Sequence, residues 1–98
     1  MEDYIVPNDI KDFILKFGFL EENDGFYKMK DKTGKFTYLI SIFSKDTYKV
    51  SVDDFEFERK TIFTGFIIKS VEDFKFLFSA NVYLKRLIES SPLSYLFE

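Results

Sequence analysis

The first periodic pattern in the chain predicts an amphipathic helix near the N-terminus. Apolar side chains recur at the i, i+3, i+4, i+7 spacing of a single buried stripe, at Ile10, Phe13, Ile14 and Phe17. Asn8 is the predicted N-cap, and Gly18 stands where a residue of positive φ can end a helix. We therefore expect a helix that runs to Phe17 and buries one face.

Alternating apolar and polar positions then predict four strands. The strands cover residues 26–30, 36–43, 47–52 and 61–69, and residues 21–25 and 31–34 are predicted turns. The run at 36–43 carries apolar side chains on both faces, which indicates a central strand. Short connections favour an antiparallel meander with the helices on one face, so the predicted class is α+β.

The alternation changes parity after Val52, because Phe55 and Phe57 fall at positions that would face the opposite side. A β-bulge or a short loop at Asp53 and Asp54 would bring them back to the face of Val52, and this is the favoured interpretation. Without it, the two phenylalanines would lie under a loop or a partner.

The predicted strand at 61–69 contains a glycine among apolar residues. Its alternation places Ile62, Phe66 and Ile68 on one face with Thr64, and Phe63 and Ile67 on the other. Gly65 is expected to leave room for the close approach of a helix or a ring.

The stretch from Ser70 to Ser91 has a strong helix start and more apolar surface than one face needs. Ser70 is the predicted N-cap, and Asp73 can reach back to the start of the helix. A first arc contains Phe74, Leu77, Phe78, Leu84 and Ile88, and a second arc contains Phe76, Tyr83 and Leu87. Three explanations stay open: a sandwiched helix, a break near residues 79–81 with Asn81 as a second N-cap, or a second arc that binds a partner or another copy. After it, the apolar tail at 93–97 is expected to dock on the domain or on a neighbour.

Composition narrows the chemistry. The 98 residues predict one domain, 1–98, in which 14 Phe and 6 Tyr exceed what an interior of this size needs. Cysteine and histidine are absent, and the four glycines form no phosphate-binding motif. We therefore predict no enzyme, with no catalytic, metal-binding or cofactor-binding residues and no cofactor.

Charge and hydropathy bear on partners. The net charge of −3 disfavours direct nucleic-acid binding, and the lysines around the first hairpin, at 28, 30, 32 and 35, are expected to be solvated. No run of residues is long and apolar enough to span a membrane, and the acidic start MEDYIVPND is unlike a signal peptide, so a cytoplasmic location is expected.

One acidic cluster is a candidate contact surface. This acidic strip consists of Asp53, Asp54, Glu56 and Glu58. A solvated, edge-protecting face is the first interpretation, an acidic docking surface is the second, and a catalytic or metal site is the least favoured because alternation points these carboxylates towards solvent.

These observations favour a small non-enzymatic protein that binds another protein through exposed aromatic residues and the acidic strip. In size, acidity and lack of motifs it resembles inhibitors of host nucleases carried by phages and mobile elements, including anti-CRISPR and anti-restriction proteins. An acidic protein of this kind can block a basic nucleic-acid-binding channel by presenting carboxylates where phosphates would lie, so a basic nucleic-acid-binding protein is one expected partner. The alternative is a self-associating structural or small-ligand-sequestering protein, with the second arc of the last helix forming a homodimer interface or lining a pocket.

Overall fold

The structure, a computed structural model, describes residues 5–23, 25–54 and 57–97. The helices are α1 Asn8–Phe17, α2 Val71–Ala80 and α3 Val82–Ile88, followed by a 3-10 turn at Ser94–Phe97. The strands are β1 Leu20–Asn23, β2 Phe26–Lys30, β3 Phe36–Ser44, β4 Thr47–Asp54 and β5 Arg59–Ile67. They form one antiparallel sheet in the order β1-β2-β3-β4-β5, with β3 central. The predicted α+β meander with helices on one face is confirmed.

In the described part of the chain the sheet has five strands, whereas the sequence predicted four. Residues 21–23, predicted as part of a turn, belong to β1 and pair with β2. All four residues of β1 are exposed, so the strand has no buried alternation by which the sequence could reveal it.

A glycine, Gly18, ends α1 two residues before β1 begins. The N–H of Gly18 donates to the carbonyl of Leu15 and the N–H of Phe19 to that of Ile14, both at 3.2 Å, which is the Schellman arrangement. Gly18 has φ 129°, and a Cβ there would lie 2.8 Å from Cε of Met29. The predicted helix end is confirmed, but the N-cap is Pro7 rather than Asn8, which is inside the first turn.

Asp53 and Asp54 form no bulge, and the pairing between β4 and β5 shifts within β5 instead. Those two residues pair regularly with Lys60 and Arg59, and β4 ends at Asp54. The chain then turns at residues 57–58, and Phe57 is 67% exposed, so the prediction that it rejoins the core face is wrong. Phe55 lies outside the described residues.

In β5 the pairing shifts, because Val50 is paired with Phe63 and Tyr48 with Phe66. Thr64 and Gly65 therefore stand opposite a single β4 residue, and Gly65 takes φ 83°. Nothing lies within 4 Å of a Cβ built at Gly65, so its role is this backbone conformation and not the close approach predicted.

The bulge reverses the side-chain faces of half the strand. Phe63 joins Phe66 on the core side. Ile62 is 52% exposed and lies on the other face, so the prediction from the alternation that Ile62 shares a face with Phe66 is wrong. Ile67 is likewise exposed, at 64%. A single extra residue is enough for this change because side chains alternate with a period of two.

The long C-terminal pattern breaks into α2 and α3, as one of the three open explanations proposed. Ser70 caps α2 by accepting from the N–H of Asp73, whose carboxylate accepts from the N–H of Lys69 at 2.8 Å. Asn81 ends α2 and caps α3, its Oδ1 accepting from the N–H groups of Tyr83 and Leu84 at 3.0 and 3.2 Å. None of the helices in the described ranges is long and apolar enough to cross a membrane.

Most of the aromatic side chains pack in the core between the helices and the sheet. Phe17 stacks on Phe78 with ring centroids 4.5 Å apart, and Tyr48 meets Phe74 edge-on at 5.3 Å. The C-terminal tail docks on the domain, one of the two outcomes predicted for it: the ring of Phe97 packs against that of Phe17 with centroids 5.9 Å apart.

Candidate partner-binding surfaces

The break at Asn81 divides the second arc of the last helix between the core and the surface. Leu87 is fully buried inside the chain. Tyr83 is half-buried, its ring 5.8 Å from that of Phe63 and its carbonyl accepting from the hydroxyl of Tyr38 at 3.1 Å. Phe76 is 75% exposed, which leaves it as the member of the arc that a second molecule can reach.

Phe76 stands beside an apolar groove between α2 and the end of β5, which we call the β5 groove. The groove has a volume of about 310 Å³. The residues that line it are Phe66, Ile67, Ile68, Asp73, Phe76, Leu77, Ala80 and Asn81. Its two sides are thus a helix and a strand, with one carboxylate and one amide among mostly apolar side chains.

The strand side of this groove is also an edge of the sheet. β5 is last in the strand order, so in the described part of the chain one side of it pairs with no strand. It is nine residues long, against four for the opposite edge strand β1. Natural edge strands are often protected by bulges and charges, and here the bulge at Gly65 and the cations Arg59 and Lys60 do so only in part.

The acidic strip lies at the other end of this edge, around the turn from β4 to β5. Asp53 is paired with Lys60, with 4.0 Å between carboxylate and Nζ, and Asp54 is opposite Arg59 and accepts from the N–H of Phe57. Glu58 is exposed in the turn with φ 51°. Glu56 lies outside the described residues. The carboxylates described are therefore interleaved with two cations, which lowers the negative potential that this strip can present.

Two buried phenols are the most perturbed titratable groups described. Burial raises the pKa of Tyr38 to about 12, and Asp31 adds to the shift. Burial also raises the pKa of Tyr48 to about 12, with Asp46 contributing. The Tyr48 hydroxyl has no hydrogen-bond partner in the described part of the chain. Both phenols are buried in the core, and neither lines the β5 groove. Among the residues described there is no cluster of three or more acidic residues that could hold a metal ion.

Sequence reasoning identified Phe76 but missed the exposed isoleucines of β5. Ile62 and Ile67 reach the surface because the bulge changes the strand's parity, which a strict alternation cannot show. The available signal was Gly65 itself, since glycine inside an apolar strand often marks a bulge.

The comparisons with known proteins add no relative. No family model, no curated protein and no solved structure matches the chain. Function is therefore inferred from the geometry of the surfaces.

Proposed function

We propose that the chain is a small, non-enzymatic protein-binding module. The partner is another protein, and an extended segment of that partner adds to the free edge of β5 and places apolar side chains in the β5 groove. The single observation that supports this best is the position of Phe76, which is 75% exposed in an apolar groove beside a strand whose outer edge pairs with no other strand in the described part of the chain.

The free edge supplies the main-chain part of this recognition. An edge strand presents N–H and C=O groups in the spacing that an added strand requires, and pockets beside it select side chains. The helix α2 forms such a pocket with the residues at the end of β5. The bulge at Gly65 interrupts the edge and limits the segment that can pair, which favours a short partner strand over unrestricted sheet extension.

Phe76 supplies the apolar part. Covering an exposed phenylalanine contributes about 2 kcal/mol when burial is complete. Aromatic side chains at the centre of an interface are also the residues whose truncation most often weakens binding. Phe76 does not stabilise the monomer in proportion to its size, because most of its surface faces solvent.

The test uses a short peptide selected from a random-sequence library against the purified chain. We expect bound peptide to shift the NMR amide signals of residues 63–68 and of α2. Phe76→Ser should weaken the affinity at least about tenfold, the equivalent of about 1.4 kcal/mol. Phe57→Ser is the matched control, because Phe57 is also exposed, at 67%, but is absent from the groove lining.

Equal affinity for Phe76→Ser and the control would contradict the proposal, as would shifts confined to other elements. Light scattering measures the oligomeric state and so distinguishes self-association from binding of another protein. A dimer that Phe76→Ser dissociates would replace the partner's segment with a second copy of this chain.

The narrower hypothesis is an inhibitor of a basic nuclease that binds through the acidic strip. It has weaker support from the geometry, because Asp53 and Asp54 stand opposite Lys60 and Arg59. Glu58 is its best remaining contact, being exposed at the tip of the turn. Glu58→Lys reverses that charge, and unchanged affinity for the identified partner would remove this version.

A further inference from the structure

The sheet has a second face, opposite the helices, which we call the open face. One row of paired residues crosses all five strands on this face: Leu20, Lys28, Leu39, Ser51 and Ile62. Leu20 is 72% exposed and Ile62 52% exposed at the two ends of the row, and Leu39 is partly exposed at its centre. Three of the five residues in the row are apolar, whereas Lys28 is charged and Ser51 is buried, at 4% exposure. A solvated sheet face normally carries polar residues, so the three apolar side chains, at both edges and at the centre, call for a covering partner.

The charges on this face are opposite in sign to those of the whole chain. Lys28 lies in the row itself, Lys30 lies two residues further along β2, and Lys49 lies on β4. None of these three lysines has an ion-pair partner in the described ranges. Lys60 pairs with Asp53 on the same face, at 4.0 Å. A chain of net charge −3 thus has one face on which lysines outnumber carboxylates.

The backbone of the sheet restricts what can cover this face. Its N–H and C=O groups are already used between the strands, so an occupant must satisfy its own backbone hydrogen bonds. An α-helix does so internally and presents an apolar stripe, and a helix on the second face of a sheet completes a three-layer arrangement.

We infer that the open face docks an acidic amphipathic helix of another protein. Its apolar stripe lies along the row from Leu20 through Leu39 to Ile62, and carboxylates beside the stripe contact Lys28, Lys30 and Lys49. This surface is separate from the β5 groove, since no residue of the row lines the groove. The two sites can therefore fail independently.

The same observations disfavour the other occupants. Two copies stacked through their open faces would bring unpaired lysines together, which is unfavourable at close range. A single-stranded nucleic acid would match the charge, but the apolar residues of the row are aliphatic. Phe26, two residues before Lys28 on β2, is the ring beside the row, and it is only partly exposed, so it offers a base little surface for stacking.

The probe is a synthetic helical peptide with leucines at the i, i+3, i+4, i+7 spacing and glutamates on both sides of that stripe. A second peptide has lysines in place of the glutamates. With isotope-labelled full chain, we expect the acidic peptide to shift the amide signals of Lys28, Leu39, Ser51 and Ile62. We expect the lysine peptide to bind at least about tenfold more weakly, and raised salt to weaken the acidic peptide.

The double variant Lys28→Glu/Lys49→Glu tests the role of the lysines and should lose at least about tenfold in affinity for the acidic peptide. The matched control is Lys16→Glu/Lys85→Glu, which changes the net charge equally at exposed positions of α1 and α3. Circular dichroism of each variant checks that it is folded.

Equal losses in the two double variants would overturn the inference, because only net charge would then matter. Peptide-induced shifts restricted to the β5 groove would also overturn it and assign the peptide to the other site. Binding of oligo-dT to the open face in preference to the acidic peptide would replace the helix with a nucleic acid. A dimer joined through the open face would show that the occupant is a second copy of this chain and not the helix of another protein.

Discussion

Replacing Tyr48 by phenylalanine should stabilise the protein. Tyr48 is fully buried, and its ring contacts Phe74 edge-on at 5.3 Å. Phenylalanine keeps this contact and removes only the hydroxyl, which has no hydrogen-bond partner among the described residues. Because a buried polar group without a partner costs about 1 to 3 kcal/mol, we expect the unfolding free energy to rise by about 1 kcal/mol.

The matched change is Tyr38→Phe, at a second tyrosine that is fully buried. The Tyr38 hydroxyl donates to the carbonyl of Tyr83 at 3.1 Å and so ties β3 to α3. Its removal loses a hydrogen bond and leaves that carbonyl without this donor, so we expect a loss of about 1 kcal/mol. The two single-atom deletions should thus move stability in opposite directions.

Urea unfolding followed by circular dichroism measures both changes, and thermal melting provides a check. A shift of 1 kcal/mol corresponds to about 4 to 8 °C in Tm for a domain of this size. If Tyr48→Phe destabilises the protein as much as Tyr38→Phe does, the Tyr48 hydroxyl has a partner and the reasoning is refuted.

Three further changes test the remaining structural arguments. Asn81→Ala removes the cap of α3 and should lower the unfolding free energy by about 1 kcal/mol in urea titration, whereas Asn81→Ser should restore most of it. Gly65→Val should destabilise the bulge by more than Gly65→Asn, because asparagine tolerates positive φ and a β-branched residue does not; equal thermal shifts would contradict a backbone role. Since the pKa values of Tyr38 and Tyr48 are raised from 10.0 to about 12, the unfolded chain loses these protons first, and stability should fall between about pH 10 and 12. The double variant Tyr38→Phe/Tyr48→Phe should reduce that fall in urea midpoints measured across the same range.

The proposed surfaces show how far sequence reasoning reaches at a binding site. Phe76 was selected because the last helix carried more apolar residues than one face can bury, and it is exposed. Leu87 was selected by the same periodicity but is buried, because the break at Asn81 turns α3 relative to α2 and gives each helix its own buried face. The helical period gives the angle between two side chains around the axis of one continuous helix, so it cannot relate residues on opposite sides of a break.

Local signals determined much of the fold in advance. The stripe of α1, its end at Gly18, the cap at Ser70, the capping role of Asn81 and the alternation of β2 and β3 all depend on residues within a few positions of one another. Backbone hydrogen bonds and side-chain directions over such short distances follow from residue type, so these features can be read from the sequence.

Only the tertiary structure decided which surfaces remain open. The bulge at Gly65, the short strand β1 and the exposure of Ile62 and Ile67 depend on the pairing of strands that are distant along the chain. The row on the open face, with its three apolar side chains, exists because each of the five strands contributes one aligned residue. Register and strand order are properties of the assembled sheet, so the sequence defined the elements whereas their packing defined where a partner can bind.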